Sequence, residues 1–359
     1  LIVEKFNPLK GEMFQILSEE GKVVSKEFAP KLKEKDLKSM YYNMILTRVA
    51  DEKSLKLQRQ GRMGTFAPNI GHEATQVGSA FAMDEKDWMF PYFRDLGAFI
   101  TKGLPLKNYF LYWMGYEEGM RIPENLRIFT VNIPVASHLP HSVGFGMAAN
   151  IRKEKFAIVS YFGDGATSEG DFHEALNFAG IFKTPNVFIC VNNQYAISVP
   201  RSRQTASKTL AQKALSYGFE GIQVDGNDIL AMYAVTREAL SKARKGNGPT
   251  LIEAYTYRLS DHTTSDDARR YRSEEEVKYW MERDPIKRFK IFLADRGIWS
   301  EELEEEFISK ASEEVAKAVE EAEATPPPKP DEVFVYTYSE LTPHLEEQLR
   351  ELREILGGE

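Results

Sequence analysis

Residues 156–162, FAIVSYF, are apolar almost without interruption, and residues 187–191 repeat the pattern. Runs of this length without polar alternation predict strands buried on both faces. Between them Phe172, Ala175, Leu176, Ala179 and Phe182 recur at helical spacing. Thr167 or Ser168 is placed to cap that helix and Thr184-Pro185 to end it. The alternation returns downstream, where strands over 217–225 and 249–258 flank a helix over 229–245 with a basic last turn. Upstream, 87–92 predicts a short strand, and 37–60 a long helix capped by Asp36 and closed by Gly61. The predicted class is α/β: an open, mostly parallel sheet with helices on both faces.

Flanking segments read differently. Residues 1–35 show little helical periodicity and predict an N-terminal arm with a short hairpin. Residues 36–324 hold the α/β domain, ending in charged helices over 273–325 whose acidic run at 301–306 reads as a solvated face. Residues 325–359 open with the rigid linker TPPPKP. They continue into a helix with Leu341, Leu345, Leu349, Leu352 and Ile355 on one face, able to pack on its own domain or on a partner.

The strand ends carry the candidate chemistry. The first run stops at Gly163-Asp164-Gly165, where two glycines let the backbone turn sharply beside a ligand. The second runs into Asn192-Asn193-Gln194-Tyr195. Asp164 offers a carboxylate, Asn193 an amide oxygen and Tyr195 a backbone carbonyl, three hard oxygens that suit Mg²⁺. A helix N-terminus near 166–169 would aim free N–H groups at a diphosphate. Arg94, just past the 87–92 strand, reads as a phosphate ligand or as a surface ion pair. His262 follows the last strand in a long polar loop, where catalytic groups tend to sit. His72 fits a structural role at least as well as a catalytic one. His138 and His141 lack the acids or cysteines of a zinc site. Gly144-Phe145-Gly146-Met147-Ala148-Ala149 matches a dinucleotide fingerprint, but it lies within a helical pattern, where glycines serve close packing.

Composition narrows the classes. The chain has 359 residues, 42% hydrophobic, with net charge −8 and no basic block, so neither nucleic acid nor a membrane is an expected partner. Its single cysteine, Cys190, falls inside a predicted strand, and no basic-then-apolar signal opens the chain; a cytoplasmic protein is the expectation.

The pieces GHEATQVGSA, FPYFRDLG, IPVASHLP, GDGATSEGDFHEALNFAG, VNNQYAIS, VDGNDILAMY and DHTTSDDARRYRSEEEV follow one another along the chain. In this order the chain resembles the α subunit of the thiamine diphosphate-dependent first component of 2-oxo acid dehydrogenase complexes. The resemblance implies the thiamine diphosphate-binding fold, with Mg²⁺ held by Asp164, Asn193 and the Tyr195 carbonyl. It assigns the diphosphate to Phe93, Arg94, Gly163, Asp164, Gly165, Ala166, Thr167, Ser168 and Glu169. Ile133, Pro134 and Val135 would face the aminopyrimidine, and Ala196, Ile197 and His262 would complete the cofactor site. His262 would be the catalytic residue, and Thr65, Phe66, Phe93 and Ile133 would face substrate. The implied reaction is oxidative decarboxylation of a 2-oxo acid, with acyl transfer to the lipoyl group of a dihydrolipoamide acyltransferase. The loop wording favours a branched-chain acid such as 2-oxoisovalerate over pyruvate, with acetoin a third option.

The glutamate that thiamine catalysis needs at the aminopyrimidine has no second α/β domain to come from in this chain. A β subunit would supply it, in an α₂β₂ assembly. Two positions depart from the family pattern: Phe93 stands where tyrosine is usual, and Ser260-Asp261 precede His262. A carboxylate at 261 is expected to favour the protonated imidazole.

Overall fold

The computed structural model describes residues 1–357; the last two residues of the 325–359 segment lie outside the described residues. Six strands form one sheet: β1 (Met13–Phe14), β2 (Trp88–Phe90), β3 (Ile158–Gly163), β4 (Asn186–Asn192), β7 (Glu220–Asp225) and β8 (Thr250–Tyr255). Their order is β1-β7-β8-β4-β3-β2 and every pairing is parallel. Two short strands, β5 (Tyr195–Ala196) and β6 (Val199–Pro200), make a separate antiparallel pair.

The period of two along a strand divides the core. Val187, Ile189 and Val191 of β4 enter one cluster with Met40, Val77 and Met232, while Phe188 and Cys190 enter another with Val143, Phe172 and Leu176. Helix Gly170–Phe182 links β3 to β4 on one face, and Ile229–Arg244 links β7 to β8 on the other. Both faces are thus covered, which is why these strands read as continuous apolar runs. The fingerprint-like glycines lie inside helix His138–Arg152. A Cβ on Gly146 would meet the Asn186 side-chain oxygen at 2.7 Å, so the glycine permits close helix–strand packing.

Several boundaries differ from expectation. The long helix runs Glu34–Arg59, so Asp36 is its third residue rather than its cap; there its carboxylate accepts the Lys33 N–H at 3.2 Å. Residues 211–217 are a 3₁₀ turn that delays β7. Residues 1–35 do include the expected hairpin, with Leu17 bridged to Val23, but they are not a free arm. β1 pairs with β7, Phe14 is fully buried, and Asp228 accepts the Ile16 and Leu17 N–H groups at 2.7 and 2.6 Å. An unpaired sheet edge needs covering, and this segment covers it. In helix Pro343–Ile355 only Leu349 is buried, and Ile355 is exposed. No helix of the described residues is long and apolar enough to cross a membrane.

Candidate active site

Because all six strands are parallel, β2, β3, β4 and β8 end on one edge of the sheet. A cavity of about 530 Å³ opens there. It is lined by Thr65, Phe93, Arg94, Ile133, Pro134, Val135, Gly163, Asp164, Gly165, Ala166, Glu169, Asn193, Tyr195, Ala196, Ile197 and His262, all expected site residues. Three expected residues lie elsewhere. Phe66 is fully buried and packs on Trp113 and Tyr109 behind the wall. After β3 the chain tightens into a 3₁₀ turn, Asp164–Ser168, and the helix starts only after Glu169. That extra turn buries Thr167 and leaves Ser168 exposed; neither caps the helix nor lines the cavity.

Asp164 is 1% exposed. Its Oδ1 accepts the Asn193 N–H at 3.3 Å and its Oδ2 accepts Gln204 Nε2 at 2.6 Å. Burial pushes the carboxyl above its ordinary value, while the Gln204 and Asn193 hydrogen bonds and the Arg258 charge pull it back. Asn193 Oδ1 accepts the Tyr195 N–H at 3.3 Å, and the Tyr195 carbonyl accepts from Arg258 at 3.2 Å. Each of the three oxygens retains a lone pair. A carboxylate, an amide oxygen and a carbonyl from adjacent strand ends form a hard-oxygen set that fits Mg²⁺ beside phosphate oxygens. The glycines fit the same purpose: a Cβ on Gly163 would find nothing nearer than the Tyr92 ring at 4.0 Å, so this wall is open backbone.

Two guanidinium groups stand beside this oxygen set, Arg94 on the cavity wall and Arg258 behind Tyr195 and His262. Arg94 and Arg258 are both at most 1% exposed, and among the described residues no carboxylate lies within ion-pair distance of either. Arg94 donates to the carbonyls of Pro68 and, at 2.7 Å, of His262. Arg258 donates to the Ile197 carbonyl at 2.6 Å and the Tyr271 hydroxyl at 2.7 Å. Both also approach His262 Nδ1 at 3.4 Å. Guanidinium nitrogens only donate, so Nδ1 is the acceptor and the ring proton sits on Nε2. Burial, then Arg94 and Arg258, push the His262 pKa down to about 4 against the opposing pull of Asp266. His262 is therefore a neutral N–H donor at neutral pH.

This corrects the expectation for Asp261. Its carboxylate turns away to accept the Ala268 N–H at 2.8 Å, and Asp266 is the acid on the His262 backbone, at 2.9 Å. Phe93 stacks edge-on to the His262 ring, 6.1 Å between centroids, with the Arg94 guanidinium 5.6 Å from its own ring. The loop is tied across the mouth where Thr264 exchanges hydrogen bonds with the Phe66 backbone, at 2.9 and 3.1 Å.

Sequence reasoning missed Arg258, read as the end of a strand, and Gln204, which carried no motif; only Arg258's place four residues before His262 offered a signal. It also missed Tyr92, Trp113 and His138 as wall residues. His138 Nε2 is 2.8 Å from the Tyr161 carbonyl, and the exposed His141 faces the Ser137 carbonyl at 2.9 Å, so the two rings share no ligand. His72 precedes helix Glu73–Phe81, fully buried and outside the cavity.

Comparison with known proteins identifies a family. Residues 41–331 match the family model described as dehydrogenase E1 component. The pyruvate dehydrogenase E1 component subunit alpha of Acholeplasma laidlawii is 47% identical over 343 residues, covering 94% of this chain and 99% of that protein. The 3-methyl-2-oxobutanoate dehydrogenase subunit alpha of Mycobacterium tuberculosis is 46% identical over 322 residues, covering 90% and 88%. The Bacillus subtilis pyruvate dehydrogenase E1 component subunit alpha is 41% identical over 336 residues, covering 93% and 91%.

Proposed function

The chain belongs to the dehydrogenase E1 component family, as the α subunit of a thiamine diphosphate-dependent 2-oxo acid dehydrogenase, and we propose that it acts on a branched-chain 2-oxo acid. Asp164, Asn193 and the Tyr195 carbonyl would hold Mg²⁺, and Arg94 the diphosphate. When bound, the cofactor supplies a thiazolium ring that adds to the keto carbon and takes up the electron pair left as CO₂ departs. The Nε2–H of His262 donates to an oxygen of the reacting group, and the apolar wall excludes water from it. A β subunit in an α₂β₂ assembly supplies the glutamate at the aminopyrimidine, and a lipoyl-bearing acyltransferase accepts the acyl group. A cytoplasmic setting suits a chain whose one cysteine, Cys190, is buried and unpaired.

The observation that carries this reading is Arg94: a buried cation without a carboxylate partner among the described residues, on the same cavity as three oxygens suited to a metal. Buried charges are normally paired, and a metal-bound diphosphate neutralises both sides. The acyl preference rests on the loop wording and on the wall formed by Ala67, Phe93, Trp113 and Ile133. Pyruvate is the second reading, favoured by the relative from Acholeplasma. The test is dye reduction by the chain co-expressed with its β subunit, with thiamine diphosphate and Mg²⁺. Preference for 2-oxoisovalerate supports the proposal; preference for pyruvate overturns the substrate alone. Absence of cofactor binding overturns the site.

A further inference from the structure

The turn bearing Asn193 and the Tyr195 carbonyl is held away from a relaxed conformation. Gln194 has φ +75° and Ile197 φ +54°, the left-handed region that a β-branched residue strongly disfavours. Asn192, the last residue of β4, braces it. The Asn192 side-chain oxygen accepts the Gln194 N–H at 3.3 Å and Gln194 Nε2 at 3.1 Å. Its backbone carbonyl accepts the Thr256 N–H at 3.0 Å. An amide can aim its oxygen at Gln194 only while its NH₂ faces the other way. There it meets Glu253, which accepts Asn192 Nδ2 at 2.7 Å.

Glu253 is fully buried in β8. The oxygen that takes Asn192 also takes Gln223 Nε2 at 3.0 Å, and the other takes the Ala211 N–H at 2.9 Å. Three N–H donors converge on it, and among the described residues no lysine or arginine pairs with it. A carboxylate so placed is costly in a central strand, where an apolar side chain would pack without desolvation. We infer that Glu253 is a positioning residue for the cation site: by setting the orientation of the Asn192 amide it holds Gln194 left-handed and brings Asn193 Oδ1 and the Tyr195 carbonyl to Asp164. The inference rests on the proposed reading of that site.

The experiment is a Mn²⁺ titration of the complex with its β subunit, with thiamine diphosphate present and substrate absent, free Mn²⁺ being read by electron paramagnetic resonance. Failure of the unmodified complex to bind Mn²⁺ would overturn the site and this inference together. Glu253→Gln places an NH₂ where only N–H donors point, and Mn²⁺ affinity should fall about tenfold or more, as for other outer-shell partners of metal ligands. Gln223→Leu removes a donor from the same oxygen without touching Asn192, and its affinity should stay within about twofold on this account. Equal losses in both variants would mean general damage to the sheet and would overturn the inference. Unchanged affinity in Glu253→Gln would overturn it alone, with the site intact. Should Glu253→Gln not assemble, Asn192→Ser leaves β8 untouched and should show the same loss; wild-type affinity there refutes the role.

Discussion

A methyl group on Gly165 probes the spacing on which the site depends. Its Cβ would lie 2.8 Å from the Ala196 Cβ and 3.6 Å from the Ala196 Cα. Carbon atoms in contact settle at about 3.5–4.0 Å, so the 164–168 turn and β5 must part by about 1 Å. Neither side can yield by rotating a bond, since each is a methyl group fixed to backbone. Overpacking of this kind costs about 1–3 kcal/mol. The groups displaced are Asp164 on one side and Tyr195 on the other, both proposed ligands, so the cost falls on binding. At about 1.4 kcal/mol per tenfold, Gly165→Ala should weaken Mg²⁺–thiamine diphosphate binding about 5- to 150-fold. Titration calorimetry on the complex with the β subunit measures this. Adding Ala196→Gly removes the opposing methyl and leaves Ala196 Cα, at 3.6 Å, as the nearest atom, so the double variant should recover most of the affinity. Wild-type binding by Gly165→Ala, or no recovery in the double variant, would refute the reasoning.

Asp261→Asn should leave the His262 titration where it is, because that carboxylate faces Ala268; a shift of the ring's NMR titration would contradict the geometry. Arg258→Met should raise the His262 pKa from about 4, and only modestly, since burial is its largest cause. His138 is pushed down to about 4 by burial. Below its ordinary pKa of about 6.5 the unfolded chain takes up a proton that the folded chain refuses. This histidine alone should therefore lower stability by about 2–3 kcal/mol on going from neutral pH to about pH 4.5, and His138→Gln should remove that part of the slope in denaturant titrations. In the last turn of helix Gly170–Phe182, Gly180→Ala places a Cβ 2.1 Å from the Tyr217 carbonyl oxygen. It should cost about 1–3 kcal/mol in thermal unfolding while cofactor affinity is unchanged.

What could be read from the amino-acid sequence alone was local. The runs at 156–162 and 187–191 are strands because a chain covered on both faces has no reason to alternate, and β3 and β4 do pair, with Val159 opposite Val187. Asp164, Asn193 and Tyr195 were legible for the same reason: one strand–helix–strand unit brings them together whatever the rest of the sheet does. The fold decided everything that needs a long-range partner. Strand β8 inserts between β7 and β4, placing Arg258 and His262 beside Arg94, though Arg94 and His262 lie far apart in sequence. The 1–35 segment became a sheet edge, which no periodicity in a two-residue strand announces. Thr167 and Ser168 lost their expected place because turn geometry, not propensity, decides where a helix begins. Residue types and their local spacing follow from sequence, but a charge depends on its neighbours in space. A histidine beside an aspartate in the chain looks set to be protonated; folding turned that aspartate away, buried the ring and put two guanidinium groups against it, and His262 is neutral.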